Sequence, residues 1–232
     1  MDCKECDYKQ ECYSVVLSDF EYKDDDKLIT MNETHMSKLK HSKRKGVKIM
    51  KSNDLLVYSI LKLHDDGLYK EEILKELTYT KKKVVKNVTM SDKTLRETLK
   101  SLEDNGFIVI DIQAKGKKLY KVVGTRNKIE LTYLVSYSAM FECIKGNITT
   151  EELRLYNYMR YLHHKEQREN TKALKGNLFQ INQLDLAKEL GVTQGRISQM
   201  IENLLDEKLL SIWYRQSSKN NGFEYNVYRL NY

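Results

Sequence analysis

The side chains best suited to chemistry lie in residues 192–206, VTQGRISQMIENLLD. Ile197, Ile201 and Leu204 recur at helical spacing and must face a core. Gln194, Gly195, Arg196 and Gln199 therefore point outward, with Ser198 counted beside them. Thr193 stands where a helix N-cap belongs, which leaves the backbone N–H groups of the first turn facing a phosphate. An arginine fork matches guanine in the major groove, and a glutamine amide matches adenine. The chemistry these residues suit is recognition of DNA base edges and backbone.

A second face has a different character. Residues 90–112 (MSDKTLRETLKSLEDNGFIVIDI) and 192–214 (VTQGRISQMIENLLDEKLLSIWY) align without a gap. Leu95 meets Ile197, Leu99 meets Ile201, Leu102 meets Leu204 and Ile110 meets Ile212. The first copy has Ser91 as its cap and presents Lys93, Thr94, Arg96 and Lys100, but also Asp92 and Glu97, which oppose phosphate. Its cations suit phosphate contact more than base readout. Lys115, Lys117 and Lys118 around Gly116 form a basic hairpin, and Arg215 and Lys219 fill the same role in the second copy. Lys81, Lys82, Lys83 and Lys86 add further cations between the second and third helices of the first copy.

Cys3, Cys6 and Cys12 are the candidate metal ligands, since two thiolates at this spacing suit zinc. The third spacing is irregular, and His35 or His41 would have to complete the set. No cofactor is otherwise expected. The chain has no Gly-rich phosphate loop, no HExxH and no GxSxG, so it does not read as an enzyme.

These groups must be held by elements that glycines and caps delimit, because the 232 residues contain no proline. In the first copy, Asn53 or Asp54 should cap a helix running from Leu55 to about His64. Residues 70–77 read as a second helix, 80–89 as a loop with a short strand, and 91–105 as a third helix that Gly106 ends. Residues 107–112 and 119–123 are strands. Residues 131–144 (LTYLVSYSAMFECI) read as a connecting helix holding a buried Cys143. The second copy opens on a capping box, Thr149 to Glu152, and its first helix repeats the apolar pattern of the first copy. His163-His164 should sit at that helix's end, and residues 164–177 should be a polar insertion. A short strand at 179–181, a helix capped by Asn182, the helix after Thr193 and strands around a loop at 215–222 follow.

Leu186-Ala187, Leu190-Gly191-Val192-Thr193 and Ile197-Ser198 together resemble the helix-turn-helix of the Crp- and MarR-like winged-helix regulators. Ala187 allows close helix approach and Gly191 takes the turn conformation. The resemblance implies base contacts at Gln194, Gly195 and Gln199, and a base or phosphate contact at Arg196. The first copy lacks the Ala and the Gly-hydrophobe turn, so its turn is longer.

The expected fold is α+β, mainly α: two tandem winged helix-turn-helix domains with an N-terminal extension. The expected divisions are an extension at 1–51, domain 1 at 52–124, a helical connecting segment at 125–148 and domain 2 at 149–232. Within the extension, residues 1–36 carry four basic and ten acidic residues, whereas residues 37–51 carry seven basic and none acidic. The latter read as a polycationic arm tracking a DNA backbone, and the overall charge of +7 fits a polyanionic partner. No run of about 18 apolar residues is present, so no membrane span is expected. The polar N-terminus does not read as a signal peptide, and the cysteine usage implies the cytoplasm.

The leading expectation is a sequence-specific double-stranded DNA-binding protein acting in transcription regulation, as a monomer or a homodimer. Tandem winged helices also resemble plasmid and phage DNA replication initiators, which bind repeated sites. A third reading is a winged-helix module that binds protein.

Overall fold

Helices alternate with short antiparallel strands, an α+β arrangement, in the computed structural model, which describes residues 29–42, 47–81, 84–123, 132–169, 174, 176–217 and 224–231. The order begins with β1 (Ile29–Asn32) and α1 (Glu33–Ser37). A first run follows: α2 (Ser52–Lys62), β2 (Leu68–Tyr69), α3 (Lys70–Glu76), β3 (Thr78–Lys81), β4 (Val84–Val88), α4 (Asp92–Asp104), β5 (Ile108–Ile112) and β6 (Lys118–Val122). β7 (Thr132–Val135) and α5 (Tyr137–Lys145) lead to a second run. This comprises α6 (Thr150–Glu169), β8 (Leu178–Gln180), α7 (Gln183–Leu190), α8 (Gln194–Asp206), β9 (Leu210–Ser217) and β10 (Glu224–Leu230).

Both runs build the same small sheet. The first has strand order β2-β6-β5 and the second β8-β10-β9, so in each the last strand is central. The registers correspond as well: Tyr120 lies between Leu68 and Ile110, and Tyr228 lies between Phe179 and Ile212. The third helix of each run is fixed by the repeat. Leu95, Thr98, Leu99 and Leu102 bury one face of α4; Ile197, Met200, Ile201 and Leu204 bury the same face of α8. Each fully buried aliphatic chain contributes roughly 1.5–3 kcal/mol. Gly106 ends the first helix at φ +71°, and Lys208 adopts φ 59° at the corresponding place after the second.

The two runs share one apolar core, joined where α2 packs on α6. The capping box at the start of α6 forms as the sequence implies: Glu152 accepts from the Thr149 N–H at 2.6 Å, and Thr149 Oγ1 from the Glu152 N–H at 3.2 Å. Among the described residues, no helix is long and apolar enough to cross a membrane.

Residues 29–50 are not an appendage in the portions described. β1 pairs antiparallel with β7, and Ile29, Met31, Met36, Leu39 and Met50 are buried in the shared core. Scattered apolar residues among the lysines anchor what net charge alone reads as an arm. The connector is not one helix: Tyr133 and Val135 alternate into the core as strand β7, and only then does Ser136 cap α5. Residues 78–88 form the antiparallel β3–β4 pair, consistent with their β-branched content. Lys51, not Asn53 or Asp54, is the N-cap of α2; Asp54 instead accepts the Lys51 N–H at 3.1 Å from the third helical position. α6 continues to Glu169, so His163 and His164 lie within it and the supposed insertion begins as helix. β9 and β10 extend the second hairpin to Ser217 and from Glu224.

Candidate nucleic-acid interface

Asn182 caps α7 by accepting from the Leu184 N–H at 2.8 Å, and Leu186, Ala187 and Leu190 turn its inner face toward α8. Gly191 then takes φ +72°. A Cβ there would stand 2.5 Å from Cγ of His41, so the turn requires glycine for both conformation and space. Thr193 accepts the Arg196 N–H at 3.2 Å and opens α8. With the helix's apolar face buried, Gln194, Gly195 and Gln199 are exposed, and a Cβ on Gly195 would meet nothing within 4 Å. A partner's surface can therefore reach the backbone there. Ser198 is turned aside: its hydroxyl donates to Gln183 Oε1 at 2.7 Å, and Gln183 in turn donates to the Tyr228 hydroxyl at 3.0 Å. It ties α8 to α7 and β10.

Arg196 is held. Its Nε and one terminal nitrogen donate to Glu151 at 3.1 and 2.7 Å, and the other terminal nitrogen donates to Gln199 Oε1 at 2.8 Å. In the sequence Glu151 stands only as part of a helix start. Its link to α8 is a tertiary contact between residues 45 apart, with no local signal.

The residues before α2 reach the same turn. The His41 N–H donates to the Glu189 carbonyl at 2.6 Å, and Lys40 Nζ and the Tyr158 hydroxyl bind the Glu189 carboxylate at 2.5 and 2.6 Å. Burial alone would raise the Glu189 carboxyl, but the Lys40 and Tyr158 hydrogen bonds outweigh it and hold the group below its ordinary range. The same burial, and the carboxylate beside it, push the Tyr158 phenol up. The segment expected to follow a DNA backbone instead braces the turn between α7 and α8 through its described residues Lys40 and His41.

In the first run, Ser91 accepts the Thr94 N–H at 3.2 Å and starts α4. Lys93, Arg96 and Lys100 are exposed along it, and Thr94 is half-buried. Asp92 is bound by Lys70 at 2.9 Å and by Arg96 on its own helix. The Lys70 hydrogen bond, with the Arg96 charge adding to it, holds the Asp92 carboxyl low. Lys115, at φ 61°, Lys117 and Lys118 are exposed around the β5–β6 turn. Lys117 Nζ lies 5.8 Å from the centre of the Tyr69 ring. Between α4 and this hairpin runs an open groove of about 830 Å³, with Leu99 and Tyr120 beneath and charges of both signs on its rims.

Arg215 lies on β9, paired with Asn226. Lys219, Lys82 and Lys83, the side chains of Lys81 and Lys86, and the candidate metal ligands Cys3, Cys6 and Cys12 lie outside the described residues. His35 is committed elsewhere: it is buried, its Nδ1 stands 3.0 Å from the Tyr58 hydroxyl, and its ring packs edge-on to Tyr58 and Phe107. Burial chiefly, with Lys38 and Lys62 adding, lowers it to about 4. Among the described residues no group of three or more His, Cys, Asp or Glu is arranged to hold a metal. Cys143 is buried, and burial pushes its thiol up to about 12.

The chain matches no protein-family model and no curated protein.

Proposed function

We propose that this chain is a sequence-specific double-stranded DNA-binding protein that regulates transcription through tandem winged helices. The observation that carries the proposal is the α7–Gly191–α8 corner, whose second helix, α8, is capped by Thr193 and leaves Gln194, Gly195, Arg196 and Gln199 on its outer side. The matched sheet topologies of the two runs support the tandem reading. α8 supplies base contacts through Gln194, Arg196 and Gln199, and backbone contact through the Thr193 end of the helix. α4 and the β5–β6 hairpin supply phosphate contacts from Lys93, Arg96, Lys115, Lys117 and Lys118. The net charge of +7 favours a polyanion.

The shared core between α2 and α6 favours a second reading within the same chemistry. Two contact surfaces held at a fixed separation suit a composite or repeated site, as replication initiation at an iterated origin requires. Footprinting on source DNA separates the two. Sites overlapping a promoter, without effect on copy number, support regulation; iterated sites whose loss stops replication support initiation.

A salt titration with a selected duplex and a scrambled one tests the parent claim. A preference ratio that persists as salt rises is the expected result. Equal, wholly salt-sensitive affinities for both duplexes would remove base reading and leave the protein-binding module as the better account.

A further inference from the structure

Resting on the DNA-binding reading, we propose that Glu151 is a positioning residue for that activity: it aims the Arg196 guanidinium outward from α8 and so sets base discrimination without touching DNA itself. An arginine carries five N–H donors. Three of Arg196's are engaged: Nε and one terminal nitrogen on Glu151 Oε2, and the other terminal nitrogen on Gln199 Oε1. Each terminal nitrogen therefore keeps one further N–H, which a base edge or a phosphate oxygen can accept. The fork need not leave Glu151 to be used.

The carboxylate is itself well founded. Glu151 belongs to the first turn of α6, which the Thr149–Glu152 box fixes. Glu152 accepts from Asn203 of α8 at 2.9 Å, and Thr150 donates to Asn53 of α2 at 2.9 Å. The start of α6 is thus tied to the helix that carries Arg196 and to the first run. Arg196 and Glu151 are 36% and 50% exposed, so the pair is reachable by a partner and contributes little to folding. Its effect is to hold a side chain that would otherwise lose rotamer freedom on binding.

The sign of one substitution separates positioning from plain charge. Removing a carboxylate beside a polyanion should, by charge alone, tighten binding to every duplex. Positioning predicts the reverse for the selected sequence. The test compares wild type, Glu151→Ala, Glu151→Gln and Arg196→Ala, and the Glu151→Ala/Arg196→Ala double variant. Each is titrated against a duplex recovered by selection from a random pool and against its scrambled counterpart. Glu151→Ala should weaken the selected duplex about 2- to 10-fold while the scrambled one is unchanged or tighter. Glu151→Gln, which keeps an acceptor, should restore most of the preference, and Glu151→Ala should add nothing once Arg196 is gone. An unchanged preference ratio in Glu151→Ala, with Arg196→Ala still damaging, overturns this inference alone. A wild type with no preference between duplexes overturns the DNA-reading proposal beneath it.

Discussion

α4 and α8 are one helix design in two settings. Each is capped by a hydroxyl that accepts the backbone N–H three residues on, at 3.2 Å in both cases. Each buries the same face, and each leads into a hairpin whose partner strand is central in a three-stranded sheet. They differ in how the chain enters and in what holds the arginine. α8 follows a tight turn at Gly191, whereas α4 follows the inserted β3–β4 pair, which grips α5 through the Asn87 amide on the Ile144 carbonyl at 2.9 Å. Arg96 is held by Asp92 of its own helix, a carboxylate that also takes Lys70. Arg196 is held from another helix, by Glu151. A repeated scaffold thus fixes where a side chain stands, and the partner chosen for it decides what it is presented to.

The two helices diverge most at the turn that only one copy has. Gly191→Ala combines a left-handed backbone with a clash on His41, and should cost about 2–4 kcal/mol in denaturant unfolding. A loss under half a kcal/mol would mean that the His41 brace is not formed in solution. Next, Arg196→Ala and Gln199→Ala should each weaken the selected duplex by roughly 1–3 kcal/mol. Arg96→Ala, by contrast, should weaken selected and scrambled duplexes alike and lower the salt slope by about 1. If Arg96→Ala and Arg196→Ala behave identically, the division between a base-reading α8 and a phosphate-binding α4 fails.

Histidines probe the segment packed on the first run and the first helix of the second. Burial first, then the charges of Lys38 and Lys62, lowers His35 to about 4; burial, then Arg160 and His163, lowers His164 to about 4. The unfolded chain takes up these protons near pH 6.5, where the folded chain does not. Stability from each is therefore complete above that pH and is lost as pH falls toward 4. Unfolding titrations at about pH 7.5 and pH 5 should differ by roughly 1–2 kcal/mol per histidine. His35→Gln and His164→Gln should each flatten part of that slope, and a slope indifferent to both would contradict the assignment. The smallest expected effect is a gain: Lys208→Gly relieves a φ of 59° where the first copy already has Gly106, and should raise stability by about 0.5–1 kcal/mol. A loss of stability would mean that the Lys208 side chain contributes more than its backbone costs.

What was legible in the sequence is what local patterning dictates. The caps Ser91, Asn182 and Thr193, the glycine stops and the inner faces of both third helices follow from periodicity and hydroxyl placement alone. What was not legible depends on pairing across distance. Ile29–Asn32 reads as part of a charged extension until β7 is available to pair with it. Lys40 reads as a cation of an arm, and His41 as a residue that could complete a metal site, until Glu189 and Gly191 stand opposite. Periodicity gives the direction of the α8 face, but Ser198 bonds Gln183 and Arg196 bonds Glu151, because donors close to an acceptor on a neighbouring helix pair with it.

The central claim, that the outer side of α8 reads bases, is tested most directly by selecting bound duplexes from a random pool with wild type and with Arg196→Ala. The account predicts that wild type recovers one reproducible site, and that Arg196→Ala recovers the same site with one position relaxed. An unenriched pool with wild type, or an identical site at every position with the variant, would contradict it.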